Sequence, residues 1–171
     1  QAKLQEFLRE GKRSEASHST DTITNRGVHL SWLLAFTQAY GLFQKETWWV
    51  VDNVVKPLTR VGSEVSRLVD LPELTGFVGK SEVFVSHAWG GRWGDLVLGL
   101  VNNLPADVFV FVDAFAILQH HDGEHASRQQ QADLEHLHQA VQEVMCTCVV
   151  WNPNFPHSQG PRMPRQEVPA M

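Results

Sequence analysis

The chain has 171 residues, 43% of them hydrophobic and 19% charged, a balance that excludes a disordered or collagen-like chain and points to a globular domain. Fourteen Lys and Arg against nineteen Asp and Glu give a net charge of −5. That argues against a general nucleic-acid surface, which needs an excess of cations to displace counterions. No apolar run approaches the roughly 18 residues of a membrane span.

Taken in chain order, Leu4, Phe7 and Leu8 repeat at helical spacing and Gly11 ends that run. Residues 12–27 are polar and read as a loop. Val28, Leu30, Trp32, Leu33, Leu34, Phe36, Ala39 and Tyr40 predict a helix wedged into the core and stopped by Gly41. Thr47 is the expected N-cap of a helix over 48–55 that Pro57 ends, and Ser63 that of a short helix to Val69. Residues 1–80 therefore read as a helical leader packed on the rest.

From Ser81 the pattern changes. Residues 82–86 are a short β-branched and aromatic run, followed by Gly90 and Gly91 and then a helical stripe through Trp93, Leu96, Val97, Leu100, Val101 and Leu104. Residues 108–112 are apolar on both faces, as a buried parallel strand requires. Leu134, Leu137, Val141 and Val144 form another helical stripe, and 146–151 a third strand. Strand, helix, strand, loop, helix, strand predicts an α/β core over 81–152 with a short parallel three-stranded sheet in the order 2-1-3. Residues 153–171 carry Pro153, Pro156, Pro161, Pro164 and Pro169 and read as an extended tail. Cys146 and Cys148 are the only cysteines, too few for a disulfide framework. As small buried hydrophobes on one face of a strand they suit a reducing intracellular compartment, cytoplasm or organelle.

Ser86, His87, Gly90 and Gly91 lie where a parallel strand hands over to a helix, and Asp113 ends the second strand. Open α/β sheets bind ligands at such strand ends and helix N-termini, so these residues are the candidates for holding a nucleotide or phosphate; the plain alternative is a turn at Gly90-Gly91, with Asp113 holding the following loop by backbone hydrogen bonds. His120, His121, Asp122, Glu124, His125, His136 and His138 do not form a metal site at these spacings: neighbours diverge, and residues two apart on a helix do not face one cation. A three-stranded sheet leaves a bare edge that invites a partner strand. Protein partners are therefore expected through that edge and the Pro-rich tail, with Trp89, Trp93, Phe155 and Met163 as interface residues. A peripheral place on a membrane-bound complex is compatible with this reading.

Phe84 to Trp89 spells Phe-Val-Ser-His-Ala-Trp, and Asp113, Phe115, Ala116, Gln119 and His120 follow as Asp-x-Phe-Ala-x-x-Gln-His. Trp93, Asp95-Leu96-Val97, Val110 to Asp113 and Asp133-Leu134 to Val144 complete the pattern. On these residues the stretch 82–153 resembles a TIR-like domain (Toll/interleukin-receptor type). It is most similar to a group of algal and dinoflagellate proteins that share both motifs, and residues 47–59, with Val54-Val55-Lys56-Pro57, resemble that group's leader.

The resemblance implies a flavodoxin-like sheet and two classes of function. One is a non-enzymatic interaction or assembly module, without cofactor, in a larger complex; this is the favoured expectation. The other is an NAD-cleaving hydrolase, with NAD as substrate. There a glutamate on the helix before the third strand would hold the ribose and stabilise an oxocarbenium-like centre. A gapless count puts that glutamate on Leu134, a residue of the apolar stripe that is expected in the core. Asp133, at the expected start of the helix, or Glu135 would have to serve as the catalytic carboxylate.

Overall fold

The computed structural model describes residues 19–151; the run from Leu4 to Leu8 and the Pro-rich tail, with Phe155 and Met163, lie outside the described residues. Among the described residues seven strands form: β1 (Gly27–His29), β2 (Arg60–Val61), β3 (Glu64–Val65), β4 (Val78–Gly79), β5 (Val83–His87), β6 (Phe109–Phe111) and β7 (Cys146–Val150). Five of them make one mixed sheet in the order β4-β1-β6-β5-β7. β1 runs antiparallel to β4 and β6, whereas β5 runs parallel to β6 and β7.

The sheet is thus not the three-stranded parallel one that the sequence pattern predicts. The three expected runs lie side by side as β6-β5-β7, and two further strands come from the segment read as a helical leader. Those strands are three and two residues long, too short to show a period of two. Val28 in β1 also runs directly into a helical stripe, so strand and helix merge in the pattern.

The helices are α1 (Leu30–Tyr40), α2 (Thr47–Val50), α3 (Lys56–Leu58), α4 (Trp93–Asn103), α5 (Asp113–Ala116), α6 (Glu124–Glu135) and α7 (Leu137–Glu143). Gly41 ends α1 in the left-handed conformation at φ 66°. A π-helical turn, Val51–Val55, joins α2 to α3, so the rod passes through Pro57 instead of stopping before it. Proline lacks an N–H and crowds the carbonyl four residues back, and the wider turn just ahead of it accommodates both. Thr47 is the first helical residue, with Glu46 at the cap position. Residues 63–69 are not a helix: β2 and β3 pair as a hairpin around Gly62 at φ 62°, and a 3-10 turn, Leu68–Asp70, follows. Glycine in the first place of a two-residue loop is a hairpin signal.

Alternation along the parallel strands divides the core. Val83, Val85, Val110 and Val112 face the larger cluster beneath α1, α2 and α4. Phe84 and Phe111 stack at 5.3 Å on the opposite face, with Ile23, Leu137 and Ala140. Phe115 of α5 is the hub of the larger core. Its ring centroid lies 5.8 Å from Trp32, 5.4 Å from Phe36 and 5.2 Å from Trp93. Trp93 is fully buried at 0% exposure, and its Nε1–H donates to Thr37 Oγ1 at 2.9 Å. The expectation that Trp93 is an interface residue is therefore corrected: its large apolar ring is part of the seam between α1 and α4.

Gly94 sets how close α4 can come to the turn after α1, because a Cβ there would collide with the Phe43 carbonyl oxygen. Gly94→Ala is expected to cost about 1–3 kcal/mol through overpacking of a site that has no flexible side chain to yield. Urea unfolding of the variant against wild type measures this, and an unchanged midpoint would contradict it.

Candidate functional site

The carboxyl ends of the parallel strands bring Ser86, His87 and Asp113 to one side of the sheet, the place where open α/β sheets bind ligands. Ser86 is exposed and His87 half-buried. The Asp113 carboxylate is already engaged. Trp89 Nε1–H donates to its Oδ2 at 2.9 Å, and the Ala114 N–H donates to its Oδ1 at 2.7 Å. Trp89 is therefore a partly exposed ring held by its indole N–H.

Gly90 and Gly91 form a turn in which the Gly91 N–H donates to the Ala88 carbonyl at 2.8 Å. The carbonyls of Trp89 and Gly91 accept the Trp48 and Thr47 N–H groups at 3.1 Å each. The turn thus caps the start of α2, and the Thr47, Trp48 and Gly91 N–H groups are satisfied from within the chain.

The second motif is structural at each of its remaining positions. Phe115 and Ala116 are buried in the core. Gln119 Nε2–H donates to the carbonyls of Asp113 and Ile117 at 3.0 Å each. Arg60 Nη2 donates to His120 Nδ1 at 3.1 Å, so Nε2–H of a neutral His120 donates to Thr59 Oγ1 at 2.8 Å, and the Thr59 hydroxyl donates to the Val55 carbonyl at 2.9 Å. Arg60 also pairs with Asp122. This relay fastens the β2–β3 hairpin to the loop after α5. Among the described residues, no group of three or more His, Cys, Asp or Glu is placed to hold a metal ion.

His87 is the exception in an otherwise satisfied cluster. Both its ring nitrogens are shielded from solvent, and neither has a hydrogen-bond partner among the described residues. Burial pushes its pKa down against the opposing pull of the Asp113 charge. Burial also lowers His29 and His120. As pH falls below the ordinary histidine value, the unfolded chain takes up protons that the folded chain does not, so stability must decline. Urea midpoints are expected to fall between pH 7.5 and about pH 5.5, with a shallower fall in His87→Phe. A flat profile would contradict the neutral, buried state of this ring.

Asp133 is neither at a helix start nor free. It lies in the last turns of α6 at 3% exposure. Its Oδ1 accepts from Arg26 Nη1 at 2.9 Å and from Arg67 Nη2 at 2.7 Å. Its Oδ2 accepts from Arg67 Nε at 2.8 Å and from the Leu118 N–H at 3.0 Å. Arg67 forks over the carboxylate and also bonds Asp70 at 3.1 Å, while Arg26 reaches the Thr20 and Ala116 carbonyls. A cleft of about 230 Å³ beside this cluster is lined by Asp21, Arg26, Arg67, Asp133 and His136 among others.

Leu134 is 48% exposed, so α6 is turned the opposite way from its expected core phase. Glu135 is exposed and accepts from Gln131 Nε2 at 3.0 Å. The legible but unused signal was the two arginines of the leader, since a carboxylate on an inward helix face needs cations to meet it.

Among the described residues the far side of the sheet is open: β7 pairs only with β5, and nothing pairs with its outer side. Cys148 and Val150 pack against the larger core, but Cys146 is exposed, so the two cysteines are not a buried pair. Met145, Val149 and Trp151 are 74%, 68% and 75% exposed. A groove of about 400 Å³ runs beside the strand, lined by Leu98, Gly99 and Asn102 of α4 and by Cys148 to Trp151.

No family model, no curated protein and no solved structure matches the chain. Among the described residues no helix is long and apolar enough to cross a membrane.

Proposed function

We propose that the chain is a non-enzymatic protein-interaction or assembly module of TIR-like fold, a subunit of a larger complex, that binds through the open edge of β7. The observation that carries this reading is the edge itself, unpaired among the described residues. Exposed edge strands are normally blunted by charge, proline or a bulge, yet no charged residue or proline occurs from Val144 to Trp151. An extended segment added there would gain main-chain hydrogen bonds, and Val149, Trp151 and the α4 groove would select its side chains.

The NAD-cleaving alternative is less well served. Both oxygens of Asp133 are bonded within the fold, and Glu135 points from the exposed side of α6.

A photo-crosslinking residue at position 149, compared with one at the exposed Glu124, tests the reading in cells making the full chain. Protein adducts specific to position 149 support it; none above the control overturns it. In parallel, purified protein incubated with NAD is expected to release no nicotinamide. Release abolished by Glu135→Ala would overturn the non-enzymatic reading.

A further inference from the structure

The β7 edge is complementary to itself. A two-fold axis through a residue of an antiparallel pair matches positions of equal parity, so every outward-directed backbone group meets another outward-directed one. Centred on Cys148, that register overlaps the whole stretch from Met145 to Trp151. It sets exposed Met145 across from Trp151 of the second copy, and Thr147 across from Val149. These are aromatic–apolar and β-branched pairs of the kind that stabilise sheets. The three exposed large apolar side chains of the edge, Met145, Val149 and Trp151, each acquire a partner on the same face. No like charges oppose one another, because the stretch is uncharged.

We propose that β7 pairs with β7 of a second copy of this chain, antiparallel and centred on Cys148, to form one continuous sheet across the dimer. This rests on the interaction reading above and narrows its partner to the chain itself. The isologous contact closes on itself, so it yields a dimer and not a fibre. The α4 helices of the two copies then lie on one face of the joint sheet, with their grooves side by side. The register also brings the two Cys148 residues directly opposite each other, with Cα atoms about 4.5–5.5 Å apart, inside the range that a disulfide spans.

Sedimentation equilibrium of the full chain over a concentration series tests this first. The expected result is a species of twice the 19.3 kDa chain mass. Val149→Lys changes an exposed side chain that folding does not need, and should weaken the dimer at least about tenfold by setting an unpaired charge in the seam. A Cys146→Ser chain, mildly oxidised, should form an intermolecular disulfide through Cys148. A monomer at all concentrations overturns the proposal, including one in which residues 152–171 cover the edge. So does a dimer indifferent to Val149→Lys, or one that Cys148 fails to cross-link. The two readings fail differently. Adducts at position 149 only to other proteins, with a monomeric chain, would leave the interaction module standing and remove the self-pairing; no adducts and a monomer would remove both.

Discussion

Asp133→Ala should destabilise the fold by about 3–5 kcal/mol, the scale for breaking a buried ion pair and leaving its partner charge uncompensated. Arg26 is 4% exposed and would keep a guanidinium in the interior facing an empty site, while Arg67 would retain, among the described residues, only Asp70 as an anionic partner. The Leu118 N–H would also lose its acceptor. Glu135→Ala, two positions on but exposed, should lie within about 0.5 kcal/mol of wild type. Urea midpoints of the two variants make the comparison, and equal values would refute the network's role.

Acid should act through the same carboxyl. Burial alone would raise the Asp133 pKa, but the Arg67 hydrogen bonds, the Leu118 N–H and the charges of Arg26 and Arg67 outweigh it and hold the group below the usual carboxylate value. The unfolded chain therefore protonates first as pH falls, and the stabilisation, complete above about pH 4, is lost below it. In Asp133→Asn this acid limb should flatten.

Phe115→Ala should cost a further large amount, about 3–5 kcal/mol, because the ring is fully buried and three other aromatic rings pack on it. The void would open between α1, α4 and α5, at the seam that Trp93 and Thr37 also close. Near-ultraviolet circular dichroism should weaken as Trp32 and Trp93 lose their fixed neighbour, and Phe115→Leu, which keeps most of the volume, should lose less than about 1.5 kcal/mol. A Phe115→Ala chain as stable as wild type would mean that the hub is not where the structure puts it.

The elements that the sequence showed clearly are those long enough to carry a period. α1 and α4 bury continuous stripes, and β5, β6 and β7 are β-branched runs between breakers. β1 and β4 escaped because their sheet positions are decided by partners fifty or more residues away, not by local pattern: Val28 pairs with Val78 and Val110. α6 was read in the wrong phase for a related reason. Its inward face carries Ala126 and Asp133, and an aspartate reads as surface unless the arginines that satisfy it are known. Of the expected site residues, Ser86, His87 and Asp113 do gather at one end of the sheet. The turn through Gly90 and Gly91 caps α2 with the Trp89 and Gly91 carbonyls, and Asp133 holds the structure together.

The place of β1 in the sheet also governs the order in which the chain can fold. It is inserted between β4 and β6, and Arg26 just before it bonds Asp133 across 107 positions of sequence. Contacts of such separation are the slow ones, because the loop entropy is lost before the contact is gained. During synthesis β1 has only β4 to pair with until β6 emerges, and Arg26 waits longer, for Asp133 of α6. The described part of the leader is therefore not an independently stable unit but a part of a fold that closes only once β6 and α6 have been made.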